Sequence, residues 1–139
     1  MKKYYFDTAL FIYALEKKDE KSRNIIEGAI ADGAVGTSSI TIMEYDTGCF
    51  KRDRLDISKR FHSFIKEYGF EICAVDEAVA VKAAEIRAQY TAFKQMDSLQ
   101  LACASIANAD IFYTNDKQLK QFSSDETLQV VLIEEAMEI

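Results

Sequence analysis

Asp7, Glu44, Asp97 and Asp116 are far apart in the chain, yet each stands where a parallel α/β fold gathers side chains. Asp7 ends the run Lys2-Lys3-Tyr4-Tyr5-Phe6-Asp7, and Asp116 ends Ile111-Phe112-Tyr113-Thr114-Asn115-Asp116. Glu44 and Asp97 lie at or near the starts of helical patterns. Four carboxylates brought together without a basic partner repel one another, and a divalent cation is the usual resolution. Hard oxygen donors select magnesium or manganese, and a magnesium ion held by carboxylates most often serves phosphate chemistry. Taken singly, each acid has a plainer use. Asp7 before Thr8 and Asp97 before Ser98 suit helix N-caps. Asp116 suits an Asx turn, and Glu44 suits a first-turn acid facing the helix macrodipole. Four independent caps have no reason to share one sheet edge, so the chemistry rests on their joint placement.

The elements that must position these acids alternate in type. Lys2 to Phe6, Ala34 to Thr37, Glu71 to Val75, Asp110 to Tyr113 and Leu128 to Ile133 read as strands, the third as a buried one. Between them, Thr8 to Lys17 and Lys21 to Asp32 read as helices, the second stopped at Gly33. Ser38 and Ser39 offer caps to a helix carrying Ile42, Met43 and Glu44. Asp56 or Ser58 opens a helix with Phe61, Phe64, Ile65 and Tyr68 at helical spacing, closed by Gly69. Asp76 caps Glu77 to Tyr90. Met96-Asp97-Ser98 opens a helix whose Leu99, Ala102, Cys103 and Ile106 share a face. Glu134 to Glu138 adds a terminal turn. Strands separated by helices imply right-handed crossovers and a parallel sheet covered on both faces. The expected fold is a three-layer α/β/α sandwich with a central parallel sheet of four to five strands.

Ligands in such sheets bind beyond the carboxyl ends of the strands. Asp7 and Asp116 follow their strands, Glu44 lies early in the helix after the second strand, and Asp97 starts a helix antiparallel to the next strand. All four therefore belong to that edge. Asp110 precedes its strand and belongs to the opposite one. Asp46 falls on another side of the Glu44 helix, and Asp19-Glu20, Asp125-Glu126 and Glu134-Glu135 read as caps and solvated faces.

At 139 residues, 49% hydrophobic and 29% charged, the chain has a single-domain length, residues 1–139, and enough core to fold without staples. No apolar run approaches the ~20 residues that cross a bilayer. The basic start meets a carboxylate too early for a signal peptide, so a cytoplasmic location is expected. Cys49, Cys73 and Cys103 form no metal or disulfide pattern. Cys73 and Cys103 read as buried, and Cys49 as more exposed. The single His62 leaves no room for a Ser-His-Asp or multi-histidine mechanism. A net charge of −6 is a poor overall field for nucleic acid. The Lys51-Arg52-Asp53-Arg54 stretch with Lys59, Arg60 and Lys66 is either a solvated face or a local phosphate-tracking patch.

The chain resembles a PIN domain of the VapC-like toxin type. The resemblance is carried by Tyr5-Phe6-Asp7-Thr8-Ala9, by Ser39-Ile40-Thr41-Ile42-Met43-Glu44 with Gly48 beyond, by Met96-Asp97-Ser98-Leu99-Gln100-Leu101-Ala102-Cys103-Ala104, and by Phe112-Tyr113-Thr114-Asn115-Asp116. Order and spacing agree over essentially the whole chain. One position departs: Leu119 stands where many relatives have an aromatic residue, and Phe122 comes later. The resemblance implies a metal-dependent endoribonuclease of a toxin–antitoxin pair, with Asp7, Glu44, Asp97 and Asp116 as the acidic cluster and Thr8 and Thr114 supporting it. Asp7 and Asp97 would be the principal ligands of Mg²⁺ or Mn²⁺. A metal-activated water would then cut RNA, leaving a 5′-phosphate and a 3′-hydroxyl. A small antitoxin and a homodimer are the implied partners, and Phe11, Ile12, Tyr13, Phe61 and Phe64 are candidate contact surfaces or core residues. Other phosphate enzymes fit less well. The aspartate two residues after Asp7 that a dehalogenase-like phosphatase needs is missing, as are the acidic pair of a receiver domain and a P-loop. The remaining alternative is a catalytically inert PIN fold that binds RNA or protein.

Overall fold

In a computed structural model that describes residues 1–122 and 128–137, five strands form one parallel sheet in the order β3-β2-β1-β4-β5. The strands are β1 (Lys3–Phe6), β2 (Ala34–Ser38), β3 (Glu71–Cys73), β4 (Ile111–Thr114) and β5 (Gln129–Leu132). The helices are α1 (Thr8–Phe11), α2 (Glu20–Asp32), α3 (Ser39–Lys51), α4 (Leu55–Glu67), α5 (Glu77–Gln89) and α6 (Gln95–Ile106). This is the expected α/β/α sandwich at the upper end of its strand count. The Asp125-Glu126 pair and Glu138 lie outside the described residues.

The period of two in the strands builds the two cores. Tyr4 and Phe6 of β1 and Tyr113 of β4 face one side, packing with Phe11, Ile25, Tyr45 and Phe61 from α1 to α4. Tyr5 and Phe112 face the other, against Val79 and Ile86 of α5 and Leu101 and Cys103 of α6. A sheet buried on both faces explains the aromatic and apolar runs Tyr4–Phe6 in β1 and Ile111–Tyr113 in β4. Close approach fixes the turn into β2: a Cβ on Gly33 would stand 2.2 Å from the Lys2 carbonyl oxygen. Gly69 ends α4 in the left-handed region, φ 66°, where glycine is unstrained.

Several boundaries differ from the sequence reading, each for a physical reason. The helix expected over Thr8 to Lys17 is α for one turn and then π-helical over Ile12–Glu16, because the Lys17 amide reaches the Ile12 carbonyl five residues back. β3 is three residues long and exposed rather than buried, because it is the outermost strand beside β2. α6 opens at Gln95, so Asp97 lies inside its first turn and is not its cap. Glu44 is in the second turn of α3, beyond the first-turn placement. Cys49 is fully buried between α3 and its neighbours, contrary to the exposure expected of it, and Cys73 is only half-buried. Phe11 and Phe61 are fully buried, which removes them as contact surfaces.

Candidate active site

β1 and β4 are neighbours at the centre of the sheet, where the strand order reverses, and Asp7 and Asp116 leave their carboxyl ends. This crevice is where open α/β sheets bind ligands. The Asp7 amide donates to the Tyr113 carbonyl at 2.9 Å, which continues the β1–β4 ladder and holds the acid at the rim.

The Asp7 carboxylate is gripped from two sides. Oδ1 accepts from the Thr8 amide at 2.7 Å, and Oδ2 accepts from the Thr114 hydroxyl at 2.7 Å. Thr114 Oγ1 in turn accepts from the Asp116 amide at 3.1 Å, linking the two strand ends. Asp116 Oδ1 caps the following 3₁₀ turn through the Gln118 amide at 3.0 Å. Leu119 and Phe122, the position of departure, both pack into the core under α5 and α6. On the other side, the Thr8 hydroxyl donates to Glu44 Oε1 at 2.6 Å. Thr8 therefore ties Asp7 to Glu44 through its amide and its hydroxyl, and the Thr114 hydroxyl ties the Asp7 carboxylate to the Asp116 backbone.

Beneath the rim runs a buried polar chain that the sequence reading did not single out. Gln100 Nε2 donates to Thr41 Oγ1 at 2.8 Å and lies 3.4 Å from Thr8 Oγ1 and 3.5 Å from Asp7 Oδ1. Its Oε1 accepts from the Ser38 hydroxyl at 2.5 Å. Ser38 Oγ also accepts the Ile40 and Thr41 amides, capping α3 as expected. Gln100 is 3% exposed, which is rare for glutamine unless its amide is satisfied. The signal was present in the sequence: Gln100 falls three residues after Asp97 on one helix, and so on the same side.

The acids also feel one another's charge. Burial pushes the Asp7 carboxyl up to about 6 from 3.8, outweighing the two hydrogen bonds that favour its charge, and Glu44 and Asp97 raise it further. Asp97 is also raised, first by burial, then by the charges of Asp116 and Glu44, with Lys94 offsetting part. Asp116 hydrogen-bonds the neutral form of Asp97. Among the described residues no lysine or arginine forms an ion pair with any of the four acids. A rim plugged by a salt-bridging lysine is thus excluded for those residues. No group of three or more His, Cys, Asp or Glu among the described residues is drawn tightly enough to be a ready-made metal cage. The donor set is nonetheless all hard oxygen and mutually repelling, with no ion-paired base among the described residues, which fits a divalent cation.

The other polar features lie elsewhere. Asp46 accepts from Ser58 Oγ at 2.7 Å and pairs with His62 Nε2 at 2.7 Å, joining α3 to α4. Asp110 sits at the opposite edge and accepts the Lys3 amide at 2.8 Å. In the basic stretch, Arg52 is paired with Glu16 at 2.8 Å and Arg54 with Asp56 at 2.9 Å, so those guanidinium groups are occupied.

A three-layer α/β/α fold with an acid-lined crevice at the switch point of its sheet defines the class of protein. The chain belongs to the PIN domain family, whose sequence profile matches residues 4–124. No curated protein matches the chain in sequence. Solved structures share the fold at low identity. VapBC2 from Rickettsia felis, bound to a DNA fragment from its promoter, is 20% identical with a TM-score of 0.79, covering 94% of this chain and 98% of that one. VapBC-1 from nontypeable Haemophilus influenzae is 14% identical with a TM-score of 0.75, covering 95% and 98%. VapBC-5 from Mycobacterium tuberculosis, a member of the VapBC family of toxin–antitoxin systems, is 17% identical with a TM-score of 0.65, covering 95% and 99%.

Proposed function

We propose that this protein is a Mg²⁺- or Mn²⁺-dependent endoribonuclease acting as the toxin of a toxin–antitoxin pair. The observation that carries the reading is the coupling of Asp7, Glu44, Asp97 and Asp116 at one crevice, with the Asp7 and Asp97 carboxyls raised and no ion pair to any of the four among the described residues. PIN family membership and the VapBC likeness support it.

The residues divide the work by their geometry. Asp7 and Asp97 are the principal ligands, Asp7 locked by Thr114 and Thr8 and Asp97 presented by the first turn of α6. Glu44, oriented by Thr8, and Asp116, fixed by its strand-end turn, complete the cluster and orient the attacking water. Bound there, a divalent cation supplies positive charge to the phosphate oxygens and lowers the pKa of water. Water as nucleophile yields a 5′-phosphate and a 3′-hydroxyl. The antitoxin reading follows from the same charge: an acidic rim attracts an Arg- or Lys-bearing segment of a small partner. A homodimer is part of the proposal, and light scattering of the purified chain tests it.

The deciding experiment is cleavage of single-stranded RNA with Mg²⁺ and Mn²⁺, comparing wild type with Asp97→Asn. Cleavage that needs the metal and is lost in the variant supports the reading. Activity indifferent to both chelator and substitution marks a contaminating nuclease and an inert module.

A further inference from the structure

Beside the acid rim, on the same edge of the sheet, lies an open groove of about 650 Å³. None of the four acids lines it, but Asn115 and Lys117, which bracket Asp116 in sequence, do. Its charge differs from that of the chain. Lys17, Lys18, Lys21 and Lys117 face Asp19, Glu20 and Glu134, four positive charges against three, in a protein of net charge −6. The acids are partly engaged. Asp19 Oδ2 takes the Ser22 amide at 3.0 Å and its hydroxyl at 2.7 Å, and Glu134 lies 3.8 Å from Lys117, an open and solvated contact. Lys21 spends its ammonium on the neutral Glu134 carbonyl at 2.9 Å, so its charge is not cancelled there. Lys17 and Lys18 are exposed and form no ion pair among the described residues.

The groove is shaped rather than a loose cluster of lysines. The Asp19 amide donates to the Tyr13 carbonyl at 2.9 Å, and Lys18 sits at φ 53°, folding the lysine loop back beside Tyr13. Asn115 donates from its amide to the Tyr13 hydroxyl at 3.2 Å, fixing the ring next to the strand end that carries Asp116. Leu132 and Ile133, at the end of β5, give an apolar floor. An aromatic ring with flanking lysines is the pairing that holds a single strand: bases stack on the ring and phosphates follow the cations.

We infer that this groove binds the single-stranded RNA segment next to the scissile phosphate, one base against Tyr13 and its phosphates on Lys17, Lys18 and Lys117. The inference rests on the nuclease reading for the identity of the neighbouring site, and its test is a binding measurement that needs no cleavage. A fluorescein-labelled short RNA of mixed sequence is titrated by anisotropy onto the Asp97→Asn protein, in chelator, over a series of salt concentrations. Lys17→Ala/Lys18→Ala is expected to weaken binding about tenfold and to reduce the salt slope by roughly 1.4, two single-strand phosphate contacts. Tyr13→Ala is expected to weaken it several-fold while Tyr13→Phe, which keeps the ring, retains most of the affinity. Lys59→Ala/Lys66→Ala on α4, outside the groove, serves as the control and is expected to bind as the parent does. In the otherwise wild-type chain the groove substitutions raise KM for RNA and leave kcat at saturation nearly unchanged.

The outcomes separate the two readings. Groove variants that bind like the parent, in a protein whose wild type cleaves RNA, overturn the groove and leave the nuclease standing. Weakened binding in those variants with no cleavage by wild type upholds the groove and removes the nuclease. Absence of RNA binding, or loss in the variants of an acidic peptide but not of RNA, overturns the inference and assigns the lysines to a protein partner.

Discussion

At the scale of single residues the site is a balance between charges that repel and hydroxyls that hold them in place. Among the described residues no hydrogen-bond donor holds the Asp97 carboxylate, and burial and then the charges of Asp116 and Glu44 raise its affinity for a proton. Replacing it with asparagine removes a repelling charge and leaves no donor unsatisfied. Asp97→Asn is therefore expected to lower RNA cleavage by at least about a hundredfold. The metal-free thermal midpoint at neutral pH should stay unchanged or rise; a clear fall would show that Asp97 is structural. Gln100 has the opposite character. Its amide joins Ser38, Thr41 and Thr8 where water does not reach. Gln100→Leu keeps much of the volume but leaves buried hydroxyls unpaired, a cost of roughly 2–4 kcal/mol. Urea unfolding of the variant should show a lower midpoint with an unchanged slope. A midpoint equal to wild type would mean that the hydroxyls find other partners. Asp7 and Asp116 were legible in the sequence because each punctuates a strand. Gln100 carried only the weaker signal of its spacing from Asp97, because a polar residue on a helix otherwise reads as solvated.

At the scale of elements, helices α1, α3 and α4 must hold the Thr8–Glu44 bond in register, and Phe61 packs at their junction. It stacks on Tyr45 of α3 with centroids 4.0 Å apart and meets Phe11 of α1 edge-on at 5.4 Å. Phe61→Ala opens a cavity at this three-helix junction and is expected to cost about 3–5 kcal/mol, read as a lower thermal midpoint. RNA cleavage by the protein that remains folded should fall as well, since Glu44 and Thr8 ride on the helices that relax. Full activity in a strongly destabilised variant would argue that the strands alone position the site. The strand–helix alternation, the Ser38 cap and the Gly69 stop could be read from local pattern, because each is enforced by backbone chemistry within a few residues. The π turn after α1 and the exposure of β3 could not. The π turn arises where the chain folds back onto α2, with Asp19 on Tyr13, and the exposure of β3 from its outermost place in the sheet. Neither lies in its own residues.

At the scale of the whole molecule, the acid rim imposes a pH dependence opposite to that of the surface carboxylates. Asp19, Asp56, Glu71 and Glu135 are held below the usual carboxylate range by hydrogen bonds and, in each case, a lysine or arginine. Their stabilisation is present above the unfolded values and is lost as pH falls through the lowered folded ones. Asp7 works the other way. Its folded value of about 6 lies above 3.8, so between those pH values the folded protein holds the extra proton. Stability of the metal-free protein must then fall as pH rises from about 4 to about 6, by up to about 3 kcal/mol from Asp7 at 1.36 kcal/mol per unit. A divalent cation at the rim supplies the charge that the proton otherwise supplies, so stabilisation by Mg²⁺ or Mn²⁺ should grow over the same interval and be small at pH 4. Thermal unfolding from pH 4 to 8, in chelator and in each metal, checks both slopes. Comparison with Asp7→Asn isolates the contribution, because that variant keeps the surface carboxylates and should lose the fall and most of the metal response together. If wild type and Asp7→Asn give parallel curves, and added metal shifts neither, the four acids do not act as one site.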